Sequence, residues 1–433
     1  MLTEINSPQK SLQAPAQQTG HCGREEGDTR RLWTSHSKSR TIPSTDLTMS
    51  KWSLLRIQHR SSPIKGHRCC SKSVVPNRVA TYSNAGGSAR IEGVSYCNSG
   101  LCIVCGMKNL VDKSNRLAKV MAATNETHQY LLGTITINTN VSAIDQLEAM
   151  DSSWKVFHPR MKQWCKRRDS EYDVSWSMDT TIDIITGKIH LHRHMIIRLD
   201  KYAIDPTEFE KVYKDTWLSS VSKATGQIVV RAAQYCKPVQ DIEAGSKYLF
   251  KSSVEAMGGA NKASSYSGKR VGIFALLRRI AETNSPKLIG YYKELVGSFG
   301  EAGMRWSRIG TKVNEDYRRL EAEEAEEAMN SDKEVEEESA PTITIDKVMP
   351  QAHRLVMDSG VFPYLVHMLN SGYSDGNKEV EYFRSLVDDI GKCKELPHSV
   401  AHYSYWCEEL RFWAEVCFPD LYMETKKRGF YYV

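Results

Sequence analysis

The sequence predicts an α+β protein: an antiparallel central sheet with flanking helices. Three observations carry this. Residues 130–138 alternate, with Leu132, Thr134, Thr136 and Asn138 on one face and Leu131, Gly133, Ile135 and Ile137 on the other. That period of two is the pattern of a half-buried strand. Residues 174–185 and 188–199 are two apolar-rich runs separated by Thr186-Gly187, which reads as a hairpin. Between and after these strands, helical periodicity recurs. Residues 109–123 are the clearest case, with Leu110, Val111, Leu117, Val120 and Met121 as an apolar stripe.

Taken in order, residues 1–65 are rich in Ser, Gln, Thr and Arg and have no sustained period. They read as a disordered basic arm. Residues 1–90 carry 14 Lys and Arg against 5 Asp and Glu, a balance that favours polyanions through sequence-independent attraction. Residues 66–123 form a Cys-rich region followed by the first helix. Residues 124–312 hold the strands described above, interleaved with helices at 142–168, 206–224, 244–257, 271–282 and 287–299 and a further strand at 227–233. Residues 313–343 include a dense acidic run and read as a linker. Residues 344–433 read as a separate, aromatic-rich helical region. No stretch approaches the length of a transmembrane span, and the N-terminus has no apolar signal core. The expectation is a cytoplasmic protein with reduced thiols rather than a disulfide framework, although the chain has 11 cysteines.

Cys97, Cys102 and Cys105 form C-x4-C-x2-C. Two thiolates two residues apart can grip one tetrahedral Zn²⁺ from a tight knuckle. A fourth ligand has to come from elsewhere, and Cys69, Cys70 and His67 are nearest. The second group is Lys188-Ile189-His190-Leu191-His192-Arg193-His194. On a strand, His190, His192 and His194 share one face, and imidazole is the commonest protein ligand for divalent metals. If Thr186-Gly187 is a two-residue loop, Ile185 faces Lys188 and Asp183 lies opposite His190, where a carboxylate can ligate a metal or orient an imidazole. The third group is Lys247-Tyr248-Leu249-Phe250-Lys251. On a helix Tyr248 and Lys251 are neighbours one turn apart. An ammonium there stabilises a phenolate, and a metal-polarised phosphate is what such a phenolate can attack.

These three groups, with Leu132-Gly133-Thr134-Ile135-Thr136 between the first and second and Phe274-Ala275-Leu276-Leu277 and Arg305-Trp306-Ser307-Arg308 after the third, follow one another in a familiar order. From about Gly66 to Lys312 the sequence resembles the rolling-circle replication initiator (Rep) proteins of small plasmids, members of the wider HUH endonuclease class. Arg68-Cys69 matches an upstream Arg-Cys in the branch with a cysteine knuckle, and makes Cys69 the implied fourth zinc ligand. The resemblance implies that His192 and His194, completed by His190 or Asp183, bind catalytic Mg²⁺ or Mn²⁺. It implies Tyr248 as nucleophile and Lys251 as its helper, in site-specific nicking and rejoining of single-stranded or extruded origin DNA. Host polymerase and helicase are the implied partners, in a prokaryotic cytoplasm, with no membrane. The sequence departs from the family at Arg193, where a hydrophobic residue is usual, and at Ala244, where relatives often carry Glu. Two other classes fit the same residues: a hydrolase that uses the histidine row with an activated water, and a non-catalytic zinc and DNA-binding protein.

Overall fold

A computed structural model describes residues 40–42, 54–85, 88–137, 141–249, 270–301, 306–330, 343–371, 373–393, 396 and 399–427. The chain begins with β1 (Arg40–Ile42), α1 (residues 54–61), α2 (Lys65–Cys69), β2 (Ala80–Ala85), β3 (Ser88–Glu92) and α3 (Cys105–Thr124). It continues with β4 (His128–Thr136), α4 (Ala143–Lys166), β5 (Asp173–Asp183), β6 (Ile189–Asp200), α5 (Pro206–Thr225), β7 (Tyr235–Pro238) and α6 (Ile242–Leu249). Then come β8 (Arg270–Gly272), α7 (Ile273–Thr283), α8 (Pro286–Glu301), β9 (Ser307–Arg308) and α9 (Thr311–Asn330). The last elements are β10 (Ile343–Val348), α10 (Pro350–Ser359), α11 (Phe362–Asn370), α12 (Lys378–Lys392), α13 (Val400–Cys417) and α14 (Pro419–Lys427).

The larger sheet runs β7-β4-β6-β5-β8, with β9 also on β5, and its pairings are antiparallel. The histidine strand β6 is central, as the sequence predicts. Its odd-numbered face is apolar: Leu191, Met195, Ile197 and Leu199 are buried. Helices α4 and α5 cover that face, with Phe157 edge-on to Tyr213 and Trp217 at centroid distances of 5.4 and 5.5 Å. Gly133 lets α5 approach, because a Cβ there would lie 2.9 Å from the Tyr213 hydroxyl oxygen. Helix α5 is bounded as its sequence dictates. Asp205 accepts from the Glu208 amide, Pro206 opens the helix and Gly226 ends it in the left-handed region.

Arg193 also points to this apolar face and is 1% exposed. Its guanidinium lies 4.7 Å from the Trp154 ring and 4.4 Å from the Trp176 ring. Burial pushes its pKa down to about 10. Two indole faces supply attraction for the cation, which is how a charged side chain is accommodated in this apolar layer.

The even-numbered face is polar and lies under α3, α6 and α9. The Tyr130 and Thr124 hydroxyls are 2.6 Å apart, joining β4 to α3. Asp173 accepts from the amides of Thr311 and Val313, capping α9 from within β5. Arg198 pairs with Asp316 of α9 at 2.5 Å. Helix α6 packs against both α3 and β6.

The smaller sheet has the order β1-β3-β2-β10 and joins the two ends of the chain. Ile345 stands opposite Tyr82, and the Tyr82 hydroxyl lies 2.6 Å from His353 Nδ1. His353 Nε2 lies 2.7 Å from the Ser71 carbonyl. A carbonyl only accepts, so Nε2 carries the proton and Nδ1 accepts from Tyr82.

Four expectations need correction. The C-terminal region is not separate, since β10 and His353 build it into the N-terminal sheet. The basic arm does not extend to 65, because Leu54, Leu55 and Ile57 of α1 are buried. Part of the acidic linker is helix, since α9 continues to Asn330 through Glu and Ala, both strong helix formers. Residues 227–233 are not a strand: Ile228 and Val230 are 90% and 68% exposed, Arg231–Ala233 is a 3-10 turn, and the strand that follows is β7.

Two outcomes follow from this packing. Replacing Leu54 or Leu55 by Ala costs about 2–5 kcal/mol each, and removing residues 1–65 lowers the thermal midpoint rather than leaving it unchanged, as read by calorimetry. His353 has its pKa lowered to about 4 by burial, against an ordinary value near 6.5. Between those values the unfolded chain binds a proton that the folded chain does not, so stability falls as pH drops from about 6.5 to 4. Denaturant titrations across that window show the loss; His59 and His67, also lowered to about 4 by burial, contribute in the same direction, so His353→Gln makes the slope shallower without abolishing it.

Candidate functional site

The sulfurs of Cys70, Cys97, Cys102 and Cys105 all lie within 4.8 Å of one another. Cys70 Sγ is 3.5 Å from both Cys102 Sγ and Cys105 Sγ. A tetrahedral zinc with bonds of about 2.3 Å spaces its sulfurs by roughly 3.8 Å, so four cysteines at this spacing could hold a structural metal such as zinc. Protons are shared unevenly among the crowded thiols. Hydrogen bonds from Cys102, Cys70 and Cys97 hold the Cys105 thiol far below its usual range, while hydrogen bonding with Cys102 and Cys105 pushes Cys97 up. A divalent cation relieves that competition by taking four thiolates at once.

The fourth cysteine is therefore Cys70, not Cys69. Helix α2 ends at Cys69, and Cys70 takes an extended backbone (φ −60°, ψ 127°). Cys70 is buried in the group, whereas Cys69 is half-buried outside it. His67 is not in the group either. Its Nε2 lies 2.7 Å from Ser99 Oγ and its Nδ1 lies 2.9 Å from Ser62 Oγ. Burial lowers its pKa to about 4. It steadies the knuckle through Ser99, whose Oγ accepts from the Leu101 amide and whose carbonyl accepts from the Cys102 amide. The knuckle is also anchored to the sheet. A Cβ on Gly100 would lie 2.6 Å from Trp306 Cβ, and the Trp306 carbonyl accepts from the Met178 amide of β5 at 2.8 Å.

His190, His192 and His194 share the even face of β6, as the strand reading requires. His192 and His194 have ring centroids 6.3 Å apart with planes inclined by 30°. The hairpin register differs from the expected one. Thr181, not Asp183, stands opposite His190, and Asp179 stands opposite His192. Asp183 belongs to the turn: its carboxylate accepts from the amides of Ile185 and Thr186, and its carbonyl accepts from the Gly187 amide. Such local bonding of an Asp to the backbone two and three residues on lengthens the turn, and that shifts the acid out of register. Gly187 sits at φ +75° with Tyr291 of α8 against it, so the turn shape is fixed from outside as well.

Asp179 takes the position beside the imidazoles. Its Oδ2 is 3.3 Å from His194 Nε2, and both residues are buried. Thr134 Oγ1 lies 2.9 Å from His194 Nδ1. His194 is thus held at both nitrogens, by a strand on each side. Asp179 and His194 form a buried acid–imidazole pair, while among the described residues the four cysteines are the one group of three or more His, Cys, Asp or Glu side chains close enough to hold a metal ion. His190 is half-buried, and burial followed by the charge of Arg270 lowers its pKa. Sequence reading missed the roles of Asp179 and Thr134, and named Cys70 only as an alternative to Cys69. The alternation Ser175, Ser177, Asp179 within β5 was the available signal for a polar face running under the histidines.

Tyr248 lies in α6, one residue from its end. This helix doubles back over the sheet. Only residues 239–241 separate it from β7, a Cβ on Gly245 would lie 2.6 Å from Val239 Cγ1, and α6 packs on β6. Helix α6, which includes Tyr248, thereby contacts both the strand that carries the histidines and α3. Lys251 lies outside the described residues.

Freshly purified reduced protein should contain one bound metal per chain by elemental analysis. Cys70→Ser should release it and lower the melting temperature, while Cys69→Ser should leave both unchanged. No family model matches this chain, and no curated protein or solved structure is detectably similar to it.

Proposed function

We propose that the chain is a plasmid rolling-circle replication initiator, a metal-dependent nickase and strand transferase acting through a phosphotyrosine. The observation that carries this reading is the return of α6, with Tyr248, over the strand that bears His190, His192 and His194. A row of imidazoles alone suits many metalloenzymes. A row of imidazoles beneath a tyrosine-bearing helix suits phosphodiester transesterification.

In this reading His192, His194 and Asp179 would hold the catalytic ion. Two imidazoles and a carboxylate suit Mn²⁺ at least as well as Mg²⁺. When bound, the ion polarises the scissile phosphate. Thr134 fixes the orientation of His194 from its far nitrogen. The Tyr248 oxygen loses its proton and forms a bond to phosphorus. The bond to the 3′ oxygen breaks, and that oxygen leaves as a free 3′-hydroxyl for a host polymerase. Lys251, three residues on in sequence, supports the phenolate. The phosphotyrosine keeps the energy of the broken bond, so rejoining needs only a 3′-hydroxyl to attack in reverse. The cysteine group takes zinc, and its role is to start α3, against which α6 packs.

Incubation with candidate origin single strands and Mn²⁺ should give a covalent protein–DNA adduct. Tyr248→Phe should abolish the adduct with little change in melting temperature, and the paired change His192→Ala and His194→Ala should do the same. Cleavage that survives Tyr248→Phe points instead to a hydrolase with an activated water. An adduct mapped by mass spectrometry to any other tyrosine overturns the assignment.

A further inference from the structure

The histidine face of the larger sheet continues to its edge. Residues directly opposite in neighbouring strands share a face. Tyr235 of β7 stands opposite Thr134, Thr134 stands opposite His194, and His194 stands opposite Ser177. Tyr235, Thr134 and His194 are therefore one row on one face. Strands about 4.8 Å apart put Tyr235 roughly 10 Å from His194. His194 is buried, whereas Tyr235 is 44% exposed.

The base of this tyrosine is rigid. Gln234 is buried, its Oε1 accepts from the Thr136 amide at 2.9 Å, and its Nε2 donates to the Val230 carbonyl at 3.0 Å. Cys236 on the other side is 1% exposed. Val229 is buried and pins the preceding loop, yet Ile228 and Val230 beside it face solvent. An edge strand next to water is usually guarded by charge. Here Lys237, paired with Glu210, supplies that charge, while two residues before it Tyr235 presents an exposed phenol ring on a fixed backbone and Ile228 and Val230 of the preceding loop are exposed as well.

We propose that Tyr235 is a stacking platform that seats a nucleobase of single-stranded DNA beside the histidine strand. This rests on the nickase reading above and adds a positioning residue to it. Every base offers a π-face, so stacking on an exposed, rigid aromatic holds a single strand without reading its sequence. A base held on Tyr235 draws the adjoining backbone along the row towards His194. The edge position suits this task, since among the described residues no further strand pairs with the outer edge of β7.

The test is binding of a short fluorescein-labelled oligothymidylate, measured by anisotropy at fixed salt. Tyr235→Ala should weaken it about tenfold or more, while Tyr235→Phe and Tyr235→Trp should retain it. Because the ring is exposed, the melting temperature should not move. In adduct formation the alanine variant should raise KM more than it lowers kcat. A 2-aminopurine strand should be quenched by wild type and not by Tyr235→Ala. Equal binding by wild type and Tyr235→Ala, or loss with Tyr235→Phe, overturns the proposal. The two readings fail separately: an adduct at Tyr248 with binding indifferent to residue 235 removes only the platform, and stacking without an adduct removes only the nickase.

Discussion

Four sulfurs meeting at one point are the constraint on which the rest of the molecule depends. Cys70 arrives at the end of α2, and the other three arrive from a single knuckle whose last cysteine is the first residue of α3. Fixing that point fixes where α3 begins and how it leaves. Helix α3 then supplies the wall against which both α6 and α9 lie. The knuckle reaches the sheet by a second route, through Gly100, Trp306 and the Met178 amide. The histidine face is thus roofed by helices hung from the cysteines and floored by a strand tied to the same knuckle. A structural metal, which this group could hold, would contribute directly to folding, and would do so at the element that organises the roof.

The sheet beneath shows how one face can be structural and the other chemical. Along β6 the odd positions face α4 and α5 and are apolar apart from Arg193, which two tryptophans accommodate. The even positions present three imidazoles to a row of hydroxyls and carboxylates from β4 and β5. A slip of one residue would exchange the two sets entirely. The aromatic packing of Phe157, Tyr213 and Trp217 on the apolar face therefore holds the imidazoles on the other face in place. Mutations far from the histidines, in that aromatic layer, act on the site through register.

Much of this was legible in the sequence where local chemistry decides. The histidine strand follows from its alternation, α5 from Asp205-Pro206 and Gly226, and the knuckle from its spacing. What was not legible turns on backbone path over one or two residues. Cys69 and Cys70 are chemically identical, and only the exit angle of the five-residue helix α2 selects between them. Asp183 and Asp179 lie on one strand, and the length of the turn selects between them. The acidic run was read through its charge, which suggested a solvated linker, while its Glu and Ala content favours the helix that forms. Residues 54–61 carry too few apolar positions for a period to be visible, yet Leu54, Leu55 and Ile57 are all buried.

The pairing of β2 with β10 has a consequence for how the chain is made. Tyr82 and His353 bond across 271 residues of sequence. A ribosome adding about 5–20 residues per second needs roughly 15–55 s to cover that interval. Throughout it, β2 emerges with one edge unpaired and the tyrosine's apolar ring without its cover, while the strands of the larger sheet, contiguous in sequence, can already pair. The nascent chain can therefore pair the strands of the larger sheet before β10 closes the smaller one. For that interval it carries an open β edge of the kind that chaperones shield and that aggregates recruit.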